Sequence, residues 1–406
     1  MRKTITARRL ISTESSVVER PLVILDSGHI HSIESLSERE FARIEATHHF
    51  PDAILVPSYI DIHIHGAAGH DVMEATSEAL NVIGSSLSRR GVGAYFPTTV
   101  TSTRERTLMS LSGLAREIQR FEQSNDYAAA IPLGVHLEGP FLSPHKPGVH
   151  APELLEAPSI PLFERFWQAS EGHIRLMTIA PEVPGDLELI AYATKKGVCC
   201  SAGHSNATAR EAKAGLSAGI LSATHMFNAM RAIDHRDPGI AAFILDEPSL
   251  YAEVIADGIH VDPMMVRLCA KTKGTARIVL VTDGIGATGM PEGIYQLGEI
   301  EVMVREGRCT SNGTLAGSVL TLDRAVQNFM EFTQTDLITA VLAASRNPAQ
   351  LMGVENHWGK LEVGSVANFA VLSPCAEVVQ SFLSGRPTIP PGAGAGTGFE
   401  IFSMDV

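Results

Sequence analysis

Eight apolar runs of strand length, separated by helical segments, constrain this 406-residue chain more than any other feature of it. The runs are Tyr59–His65, Ala94–Val100, Leu133–Glu138, Ile174–Ala180, Val198–His204, Ser222–His225, Tyr251–Ile255 and Ile278–Asp283. Between them, Ser77–Arg90 carries Leu80, Ile83 and Leu87 on one face, Thr103–Phe121 follows the second run, and Ala207–Ala218 begins after Asn206, a candidate helix cap. Strands alternating with helices predict a parallel sheet covered by helices. On pattern alone, a closed (β/α)8 TIM-like barrel and an open doubly wound sheet fit equally well.

The polar residues at the ends of the runs separate these two architectures. Run one reads Ile60-Asp61-Ile62-His63-Ile64-His65, which puts His63 and His65 on one face and the isoleucines on the other. Run three ends at Glu138 before Gly139-Pro140, run five at His204, run six at His225 and run eight at Asp283 before Gly284. In a barrel all C-terminal strand ends meet at one mouth, where barrel enzymes keep their chemistry. Six histidines and acids gathered there would hold one or two divalent ions, with Glu138 shared. Imidazole and carboxylate together suit zinc first and iron second. A water on such an ion has a pKa near ~7 and attacks as hydroxide.

Each piece also has a plainer reading. A His-x-His on a strand is a weak signal by itself, and Glu138 before Gly-Pro can simply open a turn. His204 can start a helix, His225 can be a satisfied core histidine, and Asp283-Gly284 can be a turn. The metal reading rests on all of them falling at matching strand ends.

A barrel of about 250 residues fits within 57–358 and leaves both chain ends over. Residues 1–56 hold short strands around Val17-Val18, Val23–Leu25 and His29–Ile33, with a turn at Asp26-Ser27-Gly28. Residues 359–406 return to the same texture in Asn368–Leu372 and Val378-Val379, before a Gly/Ala/Pro-rich tail from Pro390. The two ends are therefore expected to form one small β-sandwich domain. A net charge of −13 and a pI near 5.7 exclude the basic face of a nucleic-acid binder. No apolar run has the length of a membrane span. Five cysteines, Cys199, Cys200, Cys269, Cys309 and Cys375, show no paired spacing and read as reduced thiols of a cytoplasmic protein.

At these residues the sequence resembles the N-acetylglucosamine-6-phosphate deacetylases of the amidohydrolase superfamily. The stretches are Ile60–Gly66, Gly134–Phe141 with its Leu-Glu-Gly-Pro, Ser201–Ser205, Thr224–Met230 with its His-Met-Phe-Asn-Ala-Met, Ile255–His260, Val281–Gly284 and Asn312–Ser318. They run in order along nearly the whole chain. One departure is Pro57-Ser58-Tyr59, where relatives often have Pro-Gly before the aromatic or aliphatic residue.

The resemblance implies a set of roles. Glu138, His204 and His225 would be the core metal ligands, and His63 and His65 would complete a second site with Glu138 and Asp283. Asp283 would act as general base and then general acid, and His150 would donate a hydrogen bond to the acetyl carbonyl. Val149, Asn228, Ala229, Gly258, Leu315, Ala316 and Gly317 would contact the sugar phosphate. Arg236 and His260 would hold the phosphate, with Arg236 reaching the neighbouring subunit of a homodimer. The partner implied is a phosphorylated amino sugar, N-acetyl-D-glucosamine 6-phosphate, with its galactosamine epimer as the nearest alternative. A cyclic-amide hydrolase usually carries lysine where Glu138 stands, and a non-catalytic barrel would be expected to have lost ligands that this chain keeps.

Overall fold

The computed structural model describes residues 2–13, 16–124 and 129–388; the tail from Pro390 lies outside them. Eight parallel strands run in chain order around a barrel: β1 (Tyr59–Ile64), β2 (Val92–Thr99), β3 (Val135–Glu138), β4 (Ile174–Ile179), β5 (Cys199–Ala202), β6 (Ile220–Ala223), β7 (Tyr251–Val254) and β8 (Ile278–Leu280). Each pairs in parallel with the next. The seam between β8 and β1 closes just beyond the end of β8. The Asp283 N–H donates to His63 O at 2.9 Å, and His65 and Gly66 N–H both donate to Gly284 O. The Asp61 carboxylate ties the same seam from inside, accepting the Thr282 hydroxyl at 2.6 Å. Burial pushes that carboxyl up to about 6.

A helix follows every strand: α1 (Ser77–Ser88), α2 (Arg104–Gln123), α3 (Ile160–Ala169), α4 (Asp186–Lys195), α5 (Ala209–Ala218), α6 (Gly239–Asp246), α7 (Pro263–Lys273) and α8 (Leu322–Thr333). The expected face of α1 is the buried one, with Leu80, Ile83 and Leu87 in the barrel's outer core. Asn206 does not cap α5. Its N–H is taken by the Glu182 carboxylate at 2.6 Å. Thr208 is the cap, accepting from the Glu211 N–H while Glu211 reaches back to Thr208, a reciprocal box that satisfies two orphan donors.

Four expected strands stop short of their polar ends: β1 ends at Ile64, one residue before His65, and the other three end in left-handed turns. β5 leaves the ladder before His204, β6 before His225 and β8 before Asp283, and these three residues have φ of +48°, +30° and +51°. Left-handed backbone at a non-glycine residue is uncommon and collects at functional sites. Here it turns each side chain out of the wall and across the mouth.

Both chain ends join in one mixed eight-stranded sheet. His48–Pro57 runs parallel to Lys3–Thr13 on one side and antiparallel to Phe369–Leu372 on the other, so first and last segments share a core that includes Leu10, Leu55, Phe369 and Phe382. The expected turn is a two-residue hairpin loop, Ser27-Gly28, with both φ positive, the backbone that lets twisted strands close tightly. Between β8 and α8 lies an antiparallel sheet of Gly293–Leu297, Ile300–Arg305, Arg308–Ser311 and Thr314–Leu315, packed on Met73, Val100 and Ile285. Among the described residues no helix is long and apolar enough to cross a membrane. All five cysteines are free thiols, four of them buried.

Candidate metal centre and active site

The six histidines and acids singled out by their positions at strand ends come together at the barrel mouth in two triads. In the first, Glu138 Oε1 lies 3.4 Å from His204 Nε2 and 3.3 Å from His225 Nε2. In the second, His65 Nε2 lies 3.2 Å from Asp283 Oδ1 and 3.3 Å from His63 Nε2. Glu138 Oε2 faces this second group, 3.2 Å from His65 Nε2 and 3.5 Å from His63 Nε2. The Glu138 carboxylate therefore turns one oxygen toward each triad. All six side chains are buried.

The lone pairs point inward for a reason found one layer out. His65 Nδ1 lies 3.0 Å from Thr98 O, and His204 Nδ1 lies 3.1 Å from Lys146 O. A carbonyl only accepts, so each Nδ1 carries the proton and each Nε2 presents its lone pair. Glu138 Oε1 forms no hydrogen bond to the imidazoles beside it, and neither does it find another partner among the described residues. Buried acceptors converging without donors fit a cation between them.

The electrostatics agree. Burial works against a charged His63, yet the carboxylates of Glu138 and Asp283 outweigh it and hold its pKa well above the usual imidazole value. Burial likewise opposes a charged His65, but when no ion lies between them the Asp283 and Glu138 carboxylates beside its Nε2 draw a second proton onto the ring, raising its pKa to about 9. Burial alone would raise both acids, but the histidines around them hold Glu138 and Asp283 well below the carboxylate range. A cluster whose bases gain protons and whose acids lose them is one that draws positive charge to itself.

His136, two residues before Glu138, is not part of this set. It is fully buried and bonded to Thr178 Oγ1 at 2.8 Å and Ile62 O at 3.1 Å, and burial holds its pKa well below the usual value.

Five of the six residues, all but the fully buried His63, line the floor of a cavity of about 390 Å³. Val149, His150, Asn228, Ala229, His260, Leu315 and Gly317 all line it. His150 has a defined tautomer. The Thr101 N–H donates to its Nδ1 at 3.4 Å and the Thr101 hydroxyl lies 2.8 Å from the same atom, so the ring proton sits on Nε2, which faces Glu138 Oε2 at 3.8 Å. Burial, with the neighbouring His204, lowers its pKa to about 3, so the ring is neutral and donates into the cavity.

His260 is held by Asp257, Nδ1 to Oδ2 at 2.6 Å. Burial opposes its charge, but that bond and the Asp257 carboxylate win and raise its pKa. The Gly317 backbone rests on Asp283, where a Cβ would come within 2.9 Å of Asp283 O and 2.4 Å of Ile285, so only glycine permits this approach. The Ser318 N–H fixes it there, donating to Asp283 O at 2.7 Å.

Three of the expected contacts do not touch the cavity. Ala316 is buried beneath its wall, donating its N–H to Cys309 O at 3.0 Å. Gly258 turns the loop that carries His260, with φ of +74°. Arg236 is exposed on the 231–238 loop, its N–H bonded to Asp234 Oδ1 at 2.8 Å; it does not line the cavity of its own chain.

The expectations from sequence place Lys146 near the site without a role, and leave out Thr101 and His145 as support or cavity residues and Glu253, a fully buried acid in the middle of β7. A glutamate inside the apolar run Tyr251–Ile255 is the signal that points to the last of these.

Comparison with known proteins decides the family. Residues 54–388 match the amidohydrolase family model. The chain belongs to the amidohydrolase family. Among curated proteins, this amidohydrolase is 33% identical over 380 residues to the N-acetylglucosamine-6-phosphate deacetylase of Bacillus subtilis (strain 168), covering 93% of this chain and 94% of that one. It is 35% identical over 391 residues to the N-acetylgalactosamine-6-phosphate deacetylase of Escherichia coli O157:H7, covering 95% and 99%. Among solved structures, the Mycobacterium smegmatis N-acetyl-D-glucosamine-6-phosphate deacetylase in complex with N-acetyl-D-glucosamine-6-phosphate superposes with a TM-score of 0.88 at 30% identity, covering 96% of this chain and 99% of that one. Amidohydrolases are divalent-metal enzymes, and both triads of this one suit such an ion.

Proposed function

We propose that this amidohydrolase hydrolyses the acetamide of N-acetyl-D-glucosamine 6-phosphate, giving D-glucosamine 6-phosphate and acetate in cytoplasmic amino-sugar catabolism. The observation that carries the reading is the pair of buried triads sharing Glu138 at the floor of a cavity whose wall holds His150, a neutral donor, and His260, whose pKa is raised by Asp257. The relatives named above support the substrate class.

Glu138, His204 and His225 would hold one divalent ion, zinc first and iron second, and His63, His65 and Asp283 a second. When bound, such an ion supplies Lewis acidity and brings the pKa of a water down to near ~7. The remaining work falls to side chains. Asp283 is held ionised by the histidines around it and takes the proton as water attacks the acetyl carbon. His150 donates its Nε2–H to the carbonyl oxygen as negative charge develops there. Asp283 then returns the proton to the amide nitrogen, the C–N bond breaks, and the amine leaves. His260 would hold the phosphate together with Arg236 from the neighbouring subunit of a homodimer, whose planar fork suits a phosphate. Val149, Asn228, Ala229, Gly258 and the Leu315-Ala316-Gly317 loop would shape the sugar site.

Asp283→Asn tests the mechanism. Turnover should fall to almost nothing while the ion at Glu138, His204 and His225 stays bound; near-normal acetate release would sink the assignment. The galactosamine epimer is the second reading, favoured by the 35% identity to the enzyme named for that substrate, and comparing kcat/KM on the two sugar phosphates chooses between them.

A further inference from the structure

Strand β7 gives the six-residue cluster no ligand, yet its middle carries an acid that reaches the cluster from behind. Glu253 is fully buried, 0% exposed. Its Oε2 lies 3.3 Å from His63 Nδ1 and accepts the His225 N–H at 3.4 Å, and its Oε1 accepts the Ser201 hydroxyl at 3.4 Å. Among the described residues no lysine or arginine pairs with it, and its ion-pair partner is His63. A carboxylate taken fully out of water persists only where positive charge compensates it, and these long hydrogen bonds are poor compensation.

The four histidines of the two triads are not supported alike. Carbonyl oxygens stand behind His65 and His204, and His225 Nδ1 has no partner among the described residues. His63 alone has a carboxylate behind it. Its ring is fixed further by edge-on packing against His136, with centroids 4.7 Å apart at 77°.

We propose that Glu253 is the positioning residue of the ion site at His63, His65 and Asp283, an inference that rests on the metal reading above. Its Oε2 accepts the Nδ1–H of His63, which leaves the Nε2 lone pair for the ion and fixes the plane of the ring. Its charge makes that imidazole a stronger donor, as carboxylate–histidine–metal arrangements do. The support is mutual, because an ion at this site adds positive charge beside the His63 ring that Glu253 holds. The Glu138, His204 and His225 site has no carboxylate behind either imidazole: Glu253 reaches it only through the His225 backbone N–H, and the Lys146 carbonyl stands behind His204. Residue 253 thereby sets how firmly the second ion binds, separately from the first.

Equilibrium dialysis of the metal-stripped full chain against Zn²⁺, followed by elemental analysis, measures this without reference to activity. The wild type should take up two ions per chain. Glu253→Gln, which keeps the volume and one acceptor, should weaken one class of site by about 10–100-fold and leave the other within a factor of about three. Glu253→Asp keeps the charge but draws it back from His63, and should show the same selective loss; it serves if the glutamine variant does not fold. Two ions bound as tightly in a folded variant as in the wild type, or both weakened equally, overturn the role of Glu253. A single ion in the wild type overturns it as well, because there is then no second site to position. No ion in the wild type contradicts the metal reading itself, a separate outcome.

Discussion

Replacing His150 by phenylalanine removes the hydrogen-bond donor that faces the cavity, together with the Nδ1 acceptor of the Thr101 N–H and hydroxyl. The ring volume is nearly kept, and the site is already buried, with 3% of His150 exposed. In the wild type, the Thr101 N–H and hydroxyl occupy Nδ1, so the Nε2–H has no task except to face the cavity. Its strength there comes from burial, since a donor aimed at developing charge in a water-poor site is worth far more than one in solvent. Loss of one such donor costs about 2.7–4 kcal/mol of transition-state stabilisation, or ~10²–10³ in kcat. KM should move by no more than about threefold, because the interaction grows only as charge builds on the carbonyl oxygen.

The pH dependence follows from the lowered pKa. A histidine shifted down to about 3 is neutral everywhere above that value, so wild type and variant should share the same profile shape from roughly pH 5 to 9. Thr101→Val keeps the backbone N–H but loses the hydroxyl, and should lower kcat about tenfold, the worth of one ordinary hydrogen bond. Steady-state kinetics of acetate release across pH measures all three. The reasoning fails if His150→Phe stays within tenfold of wild type, or if an acidic limb in the wild-type profile vanishes in the variant.

Two further outcomes test other parts of the account. Arg236→Met should raise KM for the phosphorylated sugar at least about tenfold while kcat changes by less than about threefold; unchanged kinetics would place the phosphate elsewhere. Asp186, at the start of α4, is fully buried with neither carboxylate oxygen hydrogen-bonded among the described residues, and burial, with Glu182 and Glu188 nearby, pushes its pKa up to about 9. An acid that holds its proton more tightly when folded stabilises most below its unfolded pKa of about 4 and loses that contribution as pH rises toward 9. Asp186→Asn should therefore stabilise the protein by about 1–3 kcal/mol at pH 8 and by much less at pH 4; an equal change in Tm at both values would refute the assignment.

What was legible in the sequence was whatever sits in one local pattern. His63 and His65 share a strand face by simple alternation, and Glu138, His204, His225 and Asp283 each close an apolar run, so the barrel mouth could be read before any coordinate. The left-handed turns at His204, His225 and Asp283 left no such mark, and three strands therefore looked longer than they are. Glu253 was missed because its partner lies 190 residues away, and only its misfit in an apolar strand betrays it. The cap at Asn206 was a choice among several capping residue types; the Thr208–Glu211 box, with its reciprocal bonds, is the arrangement the helix uses. The sheet spanning 293–315 has a visible alternation in Ile300-Glu301-Val302-Met303-Val304, but its packing over the mouth depends on Val100 and Met73, far away in sequence. Arg236 stands on an exposed loop, and its role depends on a second chain.

Two buried triads sharing Glu138 suit this chain to metal-dependent deacetylation of an amino-sugar phosphate. Acetate release from N-acetyl-D-glucosamine 6-phosphate, measured on zinc-reconstituted and metal-stripped protein side by side, tests it most directly. The account predicts turnover of the order of 1–10³ per second with zinc, and almost none after stripping. Equal rates in both preparations, or no acetate from either this sugar phosphate or its galactosamine epimer, would contradict it.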